Sequence, residues 1–288
     1  MTYFAALIFG ILQGATELFP VSSLGHSVLL PWVARWQIDQ HDPFFLTFLV
    51  LTHTATALVL LGFFWQDWVR IIRGMGTSLR DRVITADNPD GKLGWLLVVG
   101  TVPAGVLGLL FEEALKHLFA SPGIVAGVLF LNGLMLVAAD GIRSKRPAPP
   151  PTSALESDRR LATLTWAQVL RVGLLQCIAL LPGFSRTGAT ITGGLLVELS
   201  YEDAARFSFL LATPIIGAAS VLKLPELLTT SGSHFLLGPM LLGAVAAGAT
   251  AYLSVRWLLR YFETKTLRPF GLYCCAVALL VIASFALL

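Results

Sequence analysis

The chain has 288 residues, of which 56% are apolar and only 13% charged, with a formal net charge of +3 and a mean hydropathy of +0.76. A soluble domain carries about 25% charged residues, so this chain has too little polar surface to cover a globule in water, and lipid must solvate much of it. The small, dispersed positive charge gives no footprint for nucleic acid.

The N-terminal region is strongly apolar, yet residues 12–27 read LQGATELFPVSSLGHS, with a carboxylate, an imidazole, an amide and three serines. It lacks a basic leading segment and a small-residue cleavage site, so no cleavable signal is expected. Apolar runs follow at 43–65, 93–111, 123–141, 166–183, 204–224, 236–257 and 269–288. A bilayer crossing takes about 20 mostly apolar residues. The runs show no alternation, and lipid offers no partner to an open strand edge. An all-α polytopic membrane protein, built as one integral membrane domain, is the expected fold class. Cys177, Cys274 and Cys275 all fall in apolar runs without metal spacing and read as packing residues.

The connections carry orientation. The loop 66–92 contains Arg70, Arg73, Arg80, Arg82 and Lys92, and 142–165 contains Arg143, Lys145, Arg146, Arg159 and Arg160. The connection 256–268 contains Arg256, Arg260, Lys265 and Arg268, whereas 112–122 has only Lys116 and 225–235 has no basic residue. The positive-inside rule places the first three in the cytoplasm and the last two outside, with both termini outside. Ser144 then falls inside and Ser231 outside. Glu112, Glu113 and Asp203 sit at segment ends and read as solvated; Glu198 reads as interfacial. The proline-rich stretch 146–155 cannot be a helix interior. It marks a cytoplasmic linker, about 144–165, between a first half (about 1–143) and a second (about 166–288).

The halves resemble each other. QGATELFPVSSLGHS (13–27) echoes QCIALLPGFSRTGAT (176–190), with a serine three residues after each proline. TFLVLTHTATA (47–57) echoes SFLLATPIIGA (208–218), and GTVPAGVLGLLF (100–111) echoes GAVAAGATAYLS (243–254). The loop charges give matching segments opposite directions, which predicts two inverted-topology repeats. Residues 22–36 and 188–199 are too short to cross, so each is expected to dip into the membrane and return as part of a re-entrant helix pair. Backbone breaks at membrane depth are tolerated only when buried in protein or lining a wet cavity.

The breaks carry the chemistry. Gln13 and Glu17 share a helix face, Pro20 stops that helix, and Ser22 and Ser23 are placed to cap the next, with His26 one turn further on. In the second copy Pro182 and Gly183 form the break, Ser185 is a cap, Arg186 lies in the first turn, Gly188 permits close approach, and Thr190 adds a hydroxyl. A helix N-terminus with arginine and hydroxyls is an anion site. A Glu17–Arg186 ion pair that only staples the halves leaves His26 and the hydroxyls without a purpose. Charged groups at the bilayer centre cost at least about 2.5–3.5 kcal/mol each, so a phosphate site worked on by Glu17, Ser23, His26 and Arg186 is the preferred reading. His53 reads more as a hydrogen-bonded core histidine than as a group lining the site.

These two motifs, with FSFLLATPIIGA, resemble the bacterial undecaprenyl-diphosphate phosphatases, the bacitracin-resistance family, over almost the whole chain. The resemblance places the family's catalytic groups on Glu17, Ser23, His26 and Arg186, and substrate contacts on Gln13, Ser22, Ser185, Thr187, Gly188 and Thr190. It implies hydrolysis of a C55 polyprenyl diphosphate to the monophosphate, the carrier lipid for peptidoglycan precursors. It also implies Mg2+ or Ca2+, a homodimer, and a plasma (inner) membrane location serving the outer face; Glu17 then either orients His26 or holds the metal with substrate oxygens. Gln13 stands where the family also uses Glu, Leu24 where a small hydroxyl residue is common, Thr187 where Ser is common, and His53 where Gln is frequent. On this reading Ser23 or His26 is the nucleophile, or Ser23 positions a water. The rival is an anionic-lipid transporter, which needs the arginine but no nucleophile–base pair.

Overall fold

The computed structural model describes residues 1–36, 42–111, 121–143, 153–229 and 237–287. Lys116, Glu112, Glu113, Ser144, Ser231 and residues 146–152 of the proline-rich stretch lie outside them. The described chain is helical throughout: α1 (Tyr3–Leu18), α2 (Ser23–Ala34), α3 (Pro43–Phe63), α4 (Trp65–Asp81), α5 (Pro89–Leu110), α6 (Pro122–Arg143), α7 (Ala154–Ala162), α8 (Trp166–Gln176), α9 (Arg186–Leu196), α10 (Tyr201–Thr229), α11 (Leu237–Thr264) and α12 (Arg268–Leu287). A 3-10 turn, Cys177–Leu180, extends α8.

Six of these helices, α3, α5, α6, α10, α11 and α12, are long and apolar enough to cross a membrane. They correspond to six of the seven expected runs. The seventh, 166–183, is corrected: α8 has 11 residues, about 16 Å of helix, and stops short. A second correction concerns 66–92, read as a loop. It contains the 17-residue amphipathic α4, whose charges hid the helix from a reading tuned to apolar length. A third concerns the linker, whose C-terminal part is α7, closed by a capping box between Ser153 and Glu156.

Packing fixes the direction of the short helices. Gly10 and Gly14 of α1 lie against Gly243 and Ala247 of α11 so closely that a Cβ on either glycine would overlap a carbonyl oxygen. Further along, Phe19 stacks on Trp257 (5.5 Å, 11°). So α1 runs parallel to α11. His26 and Trp32 of α2 meet Tyr273 and Phe285 of α12, so α2 runs parallel to α12. Because α11 and α12 are successive spans, α1 enters and α2 returns to the same face. In the second half Gly173 of α8 abuts Gly100 of α5, and Gly188 of α9 abuts Asn132 and Leu136 of α6. Just past α9, the Leu199 carbonyl accepts from Arg143 Nε at the end of α6 (3.2 Å). This pair enters from, and returns to, the opposite face. The dips expected at 22–36 and 188–199 are thus α2 and α9, the returning arms of two re-entrant pairs.

The glycine contacts are reciprocal. Gly10 meets Gly243, while Gly173 meets Gly100, and each member of one contact sits at the matching sequence position of the other half. The caps fix the register: Ser22 Oγ accepts from Gly25 N (3.2 Å) and Ser185 Oγ from Gly188 N (3.1 Å). The structure therefore equates Ser22, not Ser23, with Ser185, and places Ser23 opposite Arg186. Counting from the prolines shifted this match by one residue.

At the face where α4, α5 and α10 begin, a buried ionic cluster ties α7 to the helical body. Arg206 donates to Asp158 (2.7 and 3.0 Å) and pairs with Asp67 (3.0 Å). Arg70 bridges Asp67 and Asp158 (2.8 and 2.6 Å). Asp203, expected to be solvated, is 2% exposed and receives Arg160 (2.8 and 2.7 Å) and the Ser157 hydroxyl (2.5 Å). Its sequence position at a segment end concealed partners that arrive from α7.

The reciprocal glycine seams yield a paired expectation. Gly10→Val and Gly173→Val should each destabilise the protein by at least the roughly 1–3 kcal/mol of overpacking, read as a lower thermal midpoint in detergent. A null effect at either position contradicts the packing described.

Candidate active site

The tips of the two re-entrant pairs meet inside the protein. Asn132, buried in the middle of α6, bridges them: its Nδ2 donates to the Pro20 carbonyl (3.1 Å) and its Oδ1 accepts from Ser185 N (3.1 Å). Ser185 Oγ also donates to the Phe19 carbonyl (3.3 Å). Thr187 Oγ1 donates to the Glu17 carbonyl (3.0 Å). Backbone groups freed by the two breaks are satisfied internally, as lipid requires. The sequence reading did not single out Asn132, although a lone amide in an otherwise apolar span was the available signal.

Glu17 lies at the C-terminal end of α1, with 8% of its surface exposed. Its Oε2 accepts from Ser23 Oγ (2.6 Å) and Gln13 Nε2 (3.1 Å), and lies 3.3 Å from His53 Nε2. Its Oε1 accepts from Arg186 Nη2 (3.1 Å). Thus α1, α2, α3 and α9 each send a side chain to one carboxylate. The second arginine nitrogen, Nη1, is buried with no partner among the described residues, and so is Gln13 Oε1. A buried guanidinium N–H without an acceptor is costly. The ion pair with Glu17 alone does not account for it.

Sequence reasoning placed His53 mainly in the core. The structure puts it in the site: α3 packs beside α1, and Leu49 O holds His53 Nδ1 (2.7 Å), which aims Nε2 at Glu17. His26 behaves otherwise. Its Nδ1 lies 2.7 Å from the Ser22 carbonyl and its Nε2 2.9 Å from the Tyr273 hydroxyl. Its ring is therefore committed to Ser22 and Tyr273, one turn along α2 from Ser23. Ser22 itself sits at φ 68°, ψ 100°, a strained backbone for a residue with a Cβ and a common feature of functional sites.

The remaining sequence candidates are engaged within the protein. The Ser22 and Ser185 hydroxyls and Gly188 N form the caps described above. Thr190 Oγ1 donates back to Arg186 O (2.9 Å) and is 2.5 Å from Ser208 Oγ on α10. These groups, with Thr187, shape and fasten the tips on which Arg186 and Ser23 stand, both at the first position of a helix.

Fold and site together define a multi-pass membrane protein with a polar, ionic cluster at the junction of two re-entrant helix pairs. The chain belongs to the bacitracin resistance protein BacA family, whose profile matches residues 6–280. It is 47% identical over 290 residues to an undecaprenyl-diphosphatase of Mycolicibacterium paratuberculosis, covering 95% of this chain and 94% of that protein. It is 44% identical over 280 residues to undecaprenyl-diphosphatase 2 of Chromobacterium violaceum, covering 96% of each. It is 41% identical over 343 residues to undecaprenyl-diphosphatase 2 of Frankia alni, covering 100% of this chain and 99% of that protein.

Asn132→Leu should strand the Pro20 carbonyl and the Ser185 N–H at once. The expected loss is about 1–3 kcal/mol for each orphaned group, measured by thermal unfolding in detergent. An unchanged midpoint contradicts the bridging role.

Proposed function

We propose that the protein is a membrane phosphatase that hydrolyses undecaprenyl diphosphate to undecaprenyl phosphate and inorganic phosphate, and that the junction of the two tips is where it does so. One observation carries the assignment of the site: Arg186 places one Nη on Glu17 and holds the other buried with no partner among the described residues, beside a serine hydroxyl on the same carboxylate. Arg186 and the N-terminal turns of α2 and α9 receive the phosphate oxygens.

Ser23 attacks the terminal phosphorus as its proton passes to Glu17 Oε2, the oxygen it already faces. The bond from phosphorus to the bridging oxygen breaks and undecaprenyl phosphate leaves. Water then attacks the phosphoserine, releasing inorganic phosphate and restoring Ser23. His26 exchanges a proton at Nε2 during these steps, a usual task of an imidazole near neutral pH. His53 and Gln13 hold Glu17 in place. Phosphoryl transfer asks mainly for positioning and charge neutralisation, which this arrangement provides without large motion.

A divalent cation, Mg2+ or Ca2+, is part of the reading. The residues fit a partial site: the Glu17 carboxylate and the unpartnered Gln13 Oε1 are hard oxygen ligands, and Mg2+ is commonly held by one or two carboxylates plus substrate phosphates. Bound there, the ion supplies further neutralisation of phosphate charge. No group of three His, Cys, Asp or Glu residues among those described could hold a metal alone.

The reading also includes inverted repeats, supported by the reciprocal glycine seams and matching caps. It places the protein in the plasma membrane as a homodimer, with the α1/α2 pair opening outward because the basic connections lie at the opposite face. Cysteines at positions 144 and 231 should label from opposite sides of sealed vesicles. Labelling from one side contradicts the orientation.

Purified protein should release phosphate from farnesyl or longer diphosphates, and less of it with a chelator. Arg186→Lys keeps the charge but loses the planar fork and should cut turnover at least about 10²-fold, as does loss of one transition-state donor elsewhere. Ser23→Ala should be similarly severe; near-normal turnover in the folded variant removes Ser23 as nucleophile. His53→Gln, which keeps an N–H toward Glu17, should retain more activity than His53→Ala.

A further inference from the structure

We propose that Tyr273 is a positioning residue for His26 in this hydrolysis, an inference that rests on the phosphatase reading above. Tyr273 is on α12, remote in sequence from both polar motifs, and no pattern in the chain points to it. It is 44% exposed, and every other exposed side chain between Leu272 and Phe285 is purely apolar. A tyrosine on such a face ordinarily turns its hydroxyl toward the membrane interface. Here the hydroxyl is directed into the protein, to His26 Nε2 at 2.9 Å. The two rings lie parallel, at 4° with centroids 5.7 Å apart.

The consequence follows from donor and acceptor inventory. The Ser22 carbonyl only accepts, so His26 Nδ1, at 2.7 Å, carries a hydrogen. In the neutral ring Nε2 is then the lone-pair nitrogen, and the tyrosine hydroxyl is its donor. Ser22 and Tyr273 together fix the tautomer, the ring plane and the identity of the nitrogen that exchanges a proton. Ser22 holds its carbonyl there at the expense of a strained φ of 68°, which a merely packed histidine does not require. Second partners of this kind set which nitrogen of a histidine is reactive. Among the described residues no other side chain hydrogen-bonds to either ring nitrogen of His26.

The seam between α2 and α12 has the same character further along, where Trp32 stacks on Phe285 (4.7 Å) and its Nε1 donates to Ser284 Oγ (3.4 Å). Trp32 does not touch the reacting groups, so it provides a control for loosening the seam without disturbing the imidazole.

Tyr273→Phe keeps the ring and removes the hydroxyl. Steady-state hydrolysis of farnesyl diphosphate should show kcat reduced about tenfold, the scale of one ordinary hydrogen bond, with KM nearly unchanged. In a His26→Ala background the same change should have no further effect, because groups that act as one unit are not additive. Trp32→Phe should leave kcat within about twofold, inside the scatter of a conservative surface change. Full activity in Tyr273→Phe alongside a disabled His26→Ala overturns the proposal and leaves the phosphatase reading intact. An equal loss from Tyr273→Phe in both backgrounds also overturns it, since the residue then acts on the fold and not through His26. Full activity in His26→Ala, or no phosphate release by the wild type, instead counts against the reading on which the proposal rests.

Discussion

One carboxylate inside the membrane organises the molecule. An ionised group there is stable only if donors reach it directly, and Glu17 receives four: Ser23, Gln13, His53 and Arg186. Those donors stand on α1, α2, α3 and α9, so satisfying the charge requires four segments to converge. The convergence in turn requires α1 and α8 to stop within the membrane, because only a broken helix can present its end there. The breaks expose backbone groups that Asn132, Ser185 and Thr187 must satisfy. The glycine seams at Gly10 and Gly173 bring α1 and α8 close enough to α11 and α5 to reach that point.

The same logic explains why the site stays polar and unfinished. A fully satisfied ion pair needs no vacant donor, and a protein using Glu17 and Arg186 as a staple has no reason to leave Arg186 Nη1 and Gln13 Oε1 buried without partners among the described residues. Buried unpartnered groups are rare in native proteins and call for an explanation. On the proposed function, a diphosphate supplies the oxygens that the arginine lacks. The arrangement is then preorganised: the donors are held by the fold before the substrate arrives, and little reorganisation is left for the reaction.

Much of this was legible in the sequence because lipid imposes simple rules. Apolar length marked seven runs, six of which are long spans, and helix breakers with polar residues marked the two tips. Residues that cost free energy in lipid, Glu17 and Arg186, announced themselves by being there. What escaped has a common cause. His53 and Asn132 gain their meaning from helices distant in sequence, and Tyr273 from a single contact across 247 positions. The amphipathic α4 and the buried Asp203 were misjudged because charge was equated with solvent, whereas Asp203 is neutralised by Arg160 arriving from α7. The two motifs that carry the resemblance lie on the two tips, but the motifs could not say which hydroxyls cap helices and which face the carboxylate.

The register between the halves shows how two matching tips build one ionic cluster instead of two. Ser22 and Ser185 do the same work, capping the returning helix of each pair. At the next position the halves differ: Ser23 in one, Arg186 in the other, both reaching the same carboxylate. Glu17 has no acidic counterpart, since Leu180 occupies the matching position in the second half, whereas Gln13 and Gln176 are preserved in both. A second carboxylate at that crossing would face the first at close range with a single guanidinium between them, and like charges so placed cannot both ionise. Divergence at this crossing therefore builds one ionic cluster: one half provides the carboxylate and a hydroxyl that donates to it, and the other provides the cation that pairs with it. The shared caps keep both in register, so at this crossing the two halves differ in the side chains that meet at Glu17.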